Sequence, residues 1–136
     1  MIEKPMKFPL TKVGFDLDGT LDHSEIGALA RLLYAAGVEI HVITVGGIGE
    51  DVEDTPEAVE RMYARKIERL AFLDVPFTKL HVVTGDTYSD AGYEKAAIIN
   101  GYEIPIMIDD ASTFVSAMVE DTTALILHLK PGGNDE

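Results

Sequence analysis

The 136-residue sequence contains no cysteine. That excludes disulfides, thiolate nucleophiles and Cys-based zinc or iron–sulfur sites. Its four histidines, His23, His41, His81 and His128, show no HxxxH or comparable ligand spacing. His41, His81 and His128 fall in or beside apolar runs, so structural strand positions are expected for them. Basic charge is also scarce: 11 Lys and Arg stand against 24 Asp and Glu, a net charge of −13. General affinity for a phosphate backbone needs clustered cations, so nucleic acid is not an expected partner. A solvated acidic surface is the simplest reading of the excess. No apolar run approaches the ~20 residues that span a bilayer, and no membrane partner is expected. The opening "MIEKPMKFPLTK" lacks the apolar core of a signal peptide, so a cytoplasmic location is the expectation.

Apolar residues make up 46% of the chain, enough for a packed interior, and residues 1–136 are read as a single domain. Short β-branched runs alternate with helical patterns. "KVGF" is a strand leading to Asp16. Ile26, Leu29, Leu32, Leu33 and Ala36 repeat at helical spacing, with Ser24 as N-cap and Gly37 as stop. "VEIHVITV" (Val38 to Val45) is a second strand, bounded by Gly46-Gly47, and an acidic, turn-rich loop follows. Thr55-Pro56 opens a helix whose stripe of Val59, Met62, Tyr63, Ile67 and Leu70 runs to about Phe72. Lys79 to Thr84 is a third strand. A short helix from Tyr93 to Asn100 is closed by Gly101. Ile104 to Ile108 is a fourth strand ending in Asp109-Asp110, a helix spans Ala111 to about Val119, and Ala124 to Leu129 is a fifth strand before the polar tail "KPGGNDE". Five strands separated by four helices predict a three-layer α/β sandwich: a mainly parallel, Rossmann-like sheet with helices on both faces.

Ligands of such sheets bind outside the carboxyl ends of the strands. There the sequence puts Asp16 and Asp18 after strand one, Thr44 at the end of strand two, and Asp109 and Asp110 after strand four. Lys95, read as opening the helix after strand three, joins the same edge. Several carboxylates at one edge repel each other and call for a counter-charge. A hard divalent cation, Mg²⁺ in preference to zinc given the missing Cys and His ligands, would supply it. Asp16 and Asp109 are the candidate side-chain ligands. With a cation present, Thr44 and Lys95 become candidate partners for phosphate oxygens. Gly19 and Thr20 would let the backbone approach an anion and donate N–H groups.

Those residues carry a resemblance. "VGFDLDGTLD" resembles the first motif of the haloacid dehalogenase-like superfamily, an apolar strand followed by D-x-D-G-T. "VEIHVITV" with Thr44, then Lys95, then "IPIMIDDA" are similar to its second, third and fourth motifs, in the family's order over roughly residues 13 to 118. The resemblance implies a Mg²⁺-dependent phosphatase, a phosphoric monoester hydrolase. Asp16 would be the nucleophile that forms an aspartyl-phosphate. Asp18 would be the general acid and then base, with its main-chain carbonyl on the metal. Thr44 and Lys95 would hold the phosphoryl group, and Asp109 would ligate Mg²⁺. The second acid, Asp18, points to phosphoryl transfer over dehalogenation. The short passage from Thr20 into the first helix implies a capless member, open to bulky substrates or covered by a neighbouring subunit in a homo-oligomer. Its partner would be a phosphorylated substrate that the sequence does not name.

Other readings stand beside this one. A protein with the same fold could bind phosphate and Mg²⁺ without turnover. Clustered acids, a strand-end Thr and "HLKPG" also resemble the phosphoacceptor receiver domains of two-component signalling. In those, however, the acceptor Asp follows strand three, where this chain has Thr84-Gly85. Asp110 is read as the N-cap of the helix starting at Ala111, with metal binding the alternative. Glu50, Asp51, Glu53 and Asp54 read as a solvated loop that could gate the site.

Overall fold

The structure, a computed structural model, describes residues 10–130; residues 131–136 of the expected polar tail lie outside them. Five strands form one sheet: β1 (Lys12–Phe15), β2 (Glu39–Ile48), β3 (Lys79–Gly85), β4 (Ile106–Asp109) and β5 (Leu125–His128). Their order is β3-β2-β1-β4-β5 and every pairing is parallel. Four helices connect them: α1 (Ser24–Ala35), α2 (Pro56–Leu73), α3 (Tyr88–Tyr102) and α4 (Ser112–Asp121). The expected three-layer, Rossmann-like α/β fold is the one observed, with a sheet parallel throughout rather than mainly.

Two apolar clusters hold the layers together. Phe15, Ile40, Val42, Leu70 and Ile108 pack with Leu17, Leu21 and Ala30 on the α1 and α2 face. Ile43, Ile99, Met107, Phe114 and Met118 form the core on the other face, against α3 and α4. The strand period of two sends alternate residues to the two faces, and each fully buried large side chain contributes about 1.5–3 kcal/mol. Among the described residues, no helix is long and apolar enough to cross a membrane.

Local chemistry explains where the elements depart from the sequence pattern. α2 starts as expected, the Thr55 hydroxyl accepting a hydrogen bond from the Ala58 N–H at 3.1 Å with Pro56 behind it. α1 does not use Ser24 as its cap; His23 takes that position without a side-chain cap bond, and Ser24 lies inside the helix. α3 begins five residues before Tyr93, because Thr87 caps it by accepting from the Asp90 N–H at 3.1 Å. It runs through Gly101 and ends where Glu103 adopts a left-handed conformation (φ 55°). β2 continues through Gly46-Gly47, its register against β3 shifting between Val45 and Gly47. Such a bulge suits residues without side chains. The stripes are also narrower than read: Leu32 is 70% and Ile67 48% exposed.

Candidate functional site

The chain runs outward from β1 through β2 to β3, then crosses back beyond β1 to β4 and β5, so the order reverses between β1 and β4. A crevice opens at such a reversal, at the carboxyl ends of the two strands. Phe15 pairs with Ile108 across it, and the next residue on each strand is an acid. Asp16 and Asp109 therefore lie side by side, both buried.

Between them sits Lys95. Its ammonium donates to Asp16 Oδ1 at 2.9 Å and to Asp109 Oδ2 at 2.7 Å, and its side chain is wholly buried. It also lies 4.4 Å from the centre of the Phe114 ring, a favourable place for a cation. Lys95 is in the middle of α3 rather than at its opening, a consequence of the earlier Thr87 cap. Asp109 Oδ1 accepts from the Ala111 N–H at 3.0 Å. Burial pushes the Asp16 carboxyl up to about 8; Lys95 works against that shift and Asp109 adds to it.

Asp110 belongs to this cluster and is not the N-cap of α4. Ala111 holds that position, and Asp110 Oδ1 instead accepts from the Thr20 hydroxyl at 3.4 Å. Asp16, Asp109 and Asp110 each offer a carboxylate oxygen, and these lie within 4.8 Å of one another. The tight turn at Leu17–Leu21 brings Gly19 over Asp110. Gly19 has φ +82°, and a Cβ there would lie 2.2 Å from Asp110 Oδ2, so the turn needs glycine on both counts. The Gly19 N–H already donates to Asp22 Oδ2 at 3.2 Å. Gly19 and Thr20 thus shape the acidic cluster from within.

Two expected members stand apart. Asp18 is exposed, and its carboxylate is held by Lys66 of α2 at 2.8 Å, away from Lys95. Thr44 is not at the end of its strand as expected but buried within β2, four residues before its last, because the strand continues past it, and among the described residues it makes no hydrogen bond to the cluster. The loop of Glu50, Asp51, Glu53 and Asp54 is exposed, as read.

Sequence reading missed the basic side of the site. A cleft of ≈ 170 Å³ beside Asp18 is lined by Arg65, Lys66 and Arg69 of α2, with Met62 and Gly46. Four of the chain's 11 Lys and Arg, namely Arg61, Arg65, Lys66 and Arg69, lie within nine residues of that helix. Their clustering in so acidic a chain was the available signal.

No family model matches the chain, and no curated protein matches it. The fold is similar to a crystal structure of a universal stress protein in complex with cAMP. The TM-score is 0.53 at 8% sequence identity, over 88% of this chain and 97% of that chain. This likeness shows a Rossmann-like α/β fold. It overturns the assignment to the haloacid dehalogenase-like superfamily and the Mg²⁺-dependent phosphatase reading drawn from it. The physical reason lies in the topology: any doubly wound sheet gathers polar residues at the carboxyl ends of its strands, in strand order. In the structure Asp18 faces Lys66 of α2, and Asp16 is buried against the Lys95 ammonium.

Proposed function

We propose that this chain is a nucleotide-binding domain that receives the phosphate of its ligand in the β1–β4 crevice, through a divalent cation. The observation that carries the reading is the juxtaposition of Asp16, Asp109 and Asp110 at the topological reversal. Even with the raised Asp16 carboxyl holding its proton, Asp109 and Asp110 outnumber the one ammonium of Lys95 and leave that opening short of positive charge. A phosphate would be repelled unless a cation came between. Oxygen-only donors suit Mg²⁺, which is held by one or two carboxylates together with phosphate oxygens. Asp110 and Oδ2 of Asp16 would hold it, while Lys95 fixes Oδ1 of Asp16 and Oδ2 of Asp109. The nucleotide class is suggested by the universal stress protein of similar fold, whose structure contains cAMP.

Calorimetric titration of AMP and cAMP in Mg²⁺ and in EDTA tests this reading. Binding in Mg²⁺ should weaken at least ~10-fold in EDTA and in Asp110→Asn, the scale of one lost ionic contact. Affinity unchanged by EDTA would overturn the cation's role. Release of inorganic phosphate from AMP during the titration would overturn the reading as a binding domain.

A further inference from the structure

The outer surface of α2 carries cationic groups in a row. Arg61, Arg65 and Arg69 are spaced four apart, so they project from one side of the helix at intervals of ~6 Å. Most of the basic groups in this region are paired with acids. Lys66 holds Asp18 at 2.8 Å, Arg69 reaches Asp22 at 3.4 Å, and Arg61 reaches Glu53 at 3.5 Å. Arg65 has no acidic partner among the described residues. It also lines three adjoining clefts, of ≈ 170, ≈ 230 and ≈ 460 Å³. The smallest shares Gly46 and Met62 with the second, and Arg69 with the third. Gly46 lets Met62 and Val82 pack directly on the strand: a Cβ there would lie 2.6 Å from both Met62 Sδ and Val82 Cγ1.

Asp18 lines the first of these clefts and, two residues from Asp16, has its Cα within about 7 Å of that residue's, so the clefts lie beside the acidic crevice. A guanidinium in the clefts and carboxylates in the neighbouring crevice divide this edge of the molecule by charge. The carboxylates can meet a phosphate only through a cation. The guanidinium can take one directly, its planar fork matching two phosphate oxygens.

We infer that Arg65, supported by Lys66 and Arg69, binds a second phosphate of the ligand. The preferred ligand class would then be nucleoside diphosphates or triphosphates over monophosphates. This rests on the nucleotide-binding reading above and adds a specificity determinant to it. Lys66 and Arg69 are pre-positioned by their acids, so the second phosphate exchanges with Asp18 and Asp22 for part of their hydrogen bonding. Arg65 gives up no such pairing, which makes it the largest contributor.

The test is calorimetric titration of ADP and AMP in Mg²⁺ with the wild type, Arg65→Ala and Arg65→Lys. Wild type should bind ADP at least ~10-fold more tightly than AMP, the scale of one charge-assisted contact. Arg65→Ala should abolish that preference, and Arg65→Lys should restore part of it. Equal affinities of wild type for ADP and AMP would overturn the inference alone, as would an ADP preference that survives Arg65→Ala. Failure of both nucleotides to bind would overturn the nucleotide reading and the inference with it. Arg65 is exposed, and an unchanged thermal midpoint would separate loss of binding from loss of fold.

Discussion

Both ends of the one sheet carry a buried polar cluster, and the two are built on opposite principles. At the carboxyl end, Asp16, Lys95 and Asp109 form a charged network. At the amino end, on the face covered by α3, His41 Nδ1 and His81 Nε2 are 3.0 Å apart, with His41 Nε2 3.0 Å from Glu39 Oε1. The two imidazoles stack with centroids 5.3 Å apart and planes 10° from parallel, and the Tyr102 ring tilts against both. The two facing ring nitrogens satisfy each other, one donating and the other accepting. Burial, then His41, then Lys79 push the His81 imidazole down to about 4, so it stays neutral at physiological pH. The amino-end cluster is complete in itself. The carboxyl-end cluster has more acid than base and opens on a crevice, which is why it is a candidate for binding while the histidines are read as structural.

That contrast breaks most visibly at Lys95. Lys95→Met leaves Asp16 and Asp109 buried without their counter-charge and should cost about 3–5 kcal/mol in denaturant unfolding. A loss below 1 kcal/mol would mean that the ion pair is no more integral than a surface one. A smaller effect is expected at the amino end. His81 has a folded-state value near 4 against 6.5 unfolded, so the unfolded chain binds more protons between those values. Its contribution is therefore fully present above pH 6.5 and is lost as pH falls towards 4. Asp16, raised from 3.8 to about 8, works the other way over this range, so the measurement is differential: the thermal midpoint of wild type relative to that of His81→Phe should fall between pH 6.5 and 5. The smallest change belongs to Lys66→Ala. Its partner Asp18 is 61% exposed, and such pairs are worth about 0.2–1 kcal/mol, so stability should barely move.

The sequence carried much of the fold and a definite part of the site. Period-two apolar runs alternating with helical ones gave five strands and four helices, because these periods follow from backbone geometry alone. Asp16 and Asp109 could be brought together in advance, since each ends a strand and parallel strands end at one edge. Asp110 could not be assigned, because cap and cluster positions differ by one residue and a small rotation. The basic row on α2 went unread because the apolar stripe of that helix accounted for its pattern. The family resemblance went further than its motifs allowed: short polar signatures at strand ends are also what the topology of a doubly wound sheet favours.

What the sequence by itself determined is the kind of layering and the presence of acids at one edge of the sheet. Both depend on residues a few positions apart. The tertiary structure decided how those acids are used. Lys95 lies 79 residues from Asp16 and meets it only because β4 lies beside β1 and α3 presents that turn to the crevice. Asp18, two residues from Asp16, is turned instead to Lys66, 48 residues away. Strand order and helix phase set these pairings through the packing of the whole core, and no local pattern encodes them.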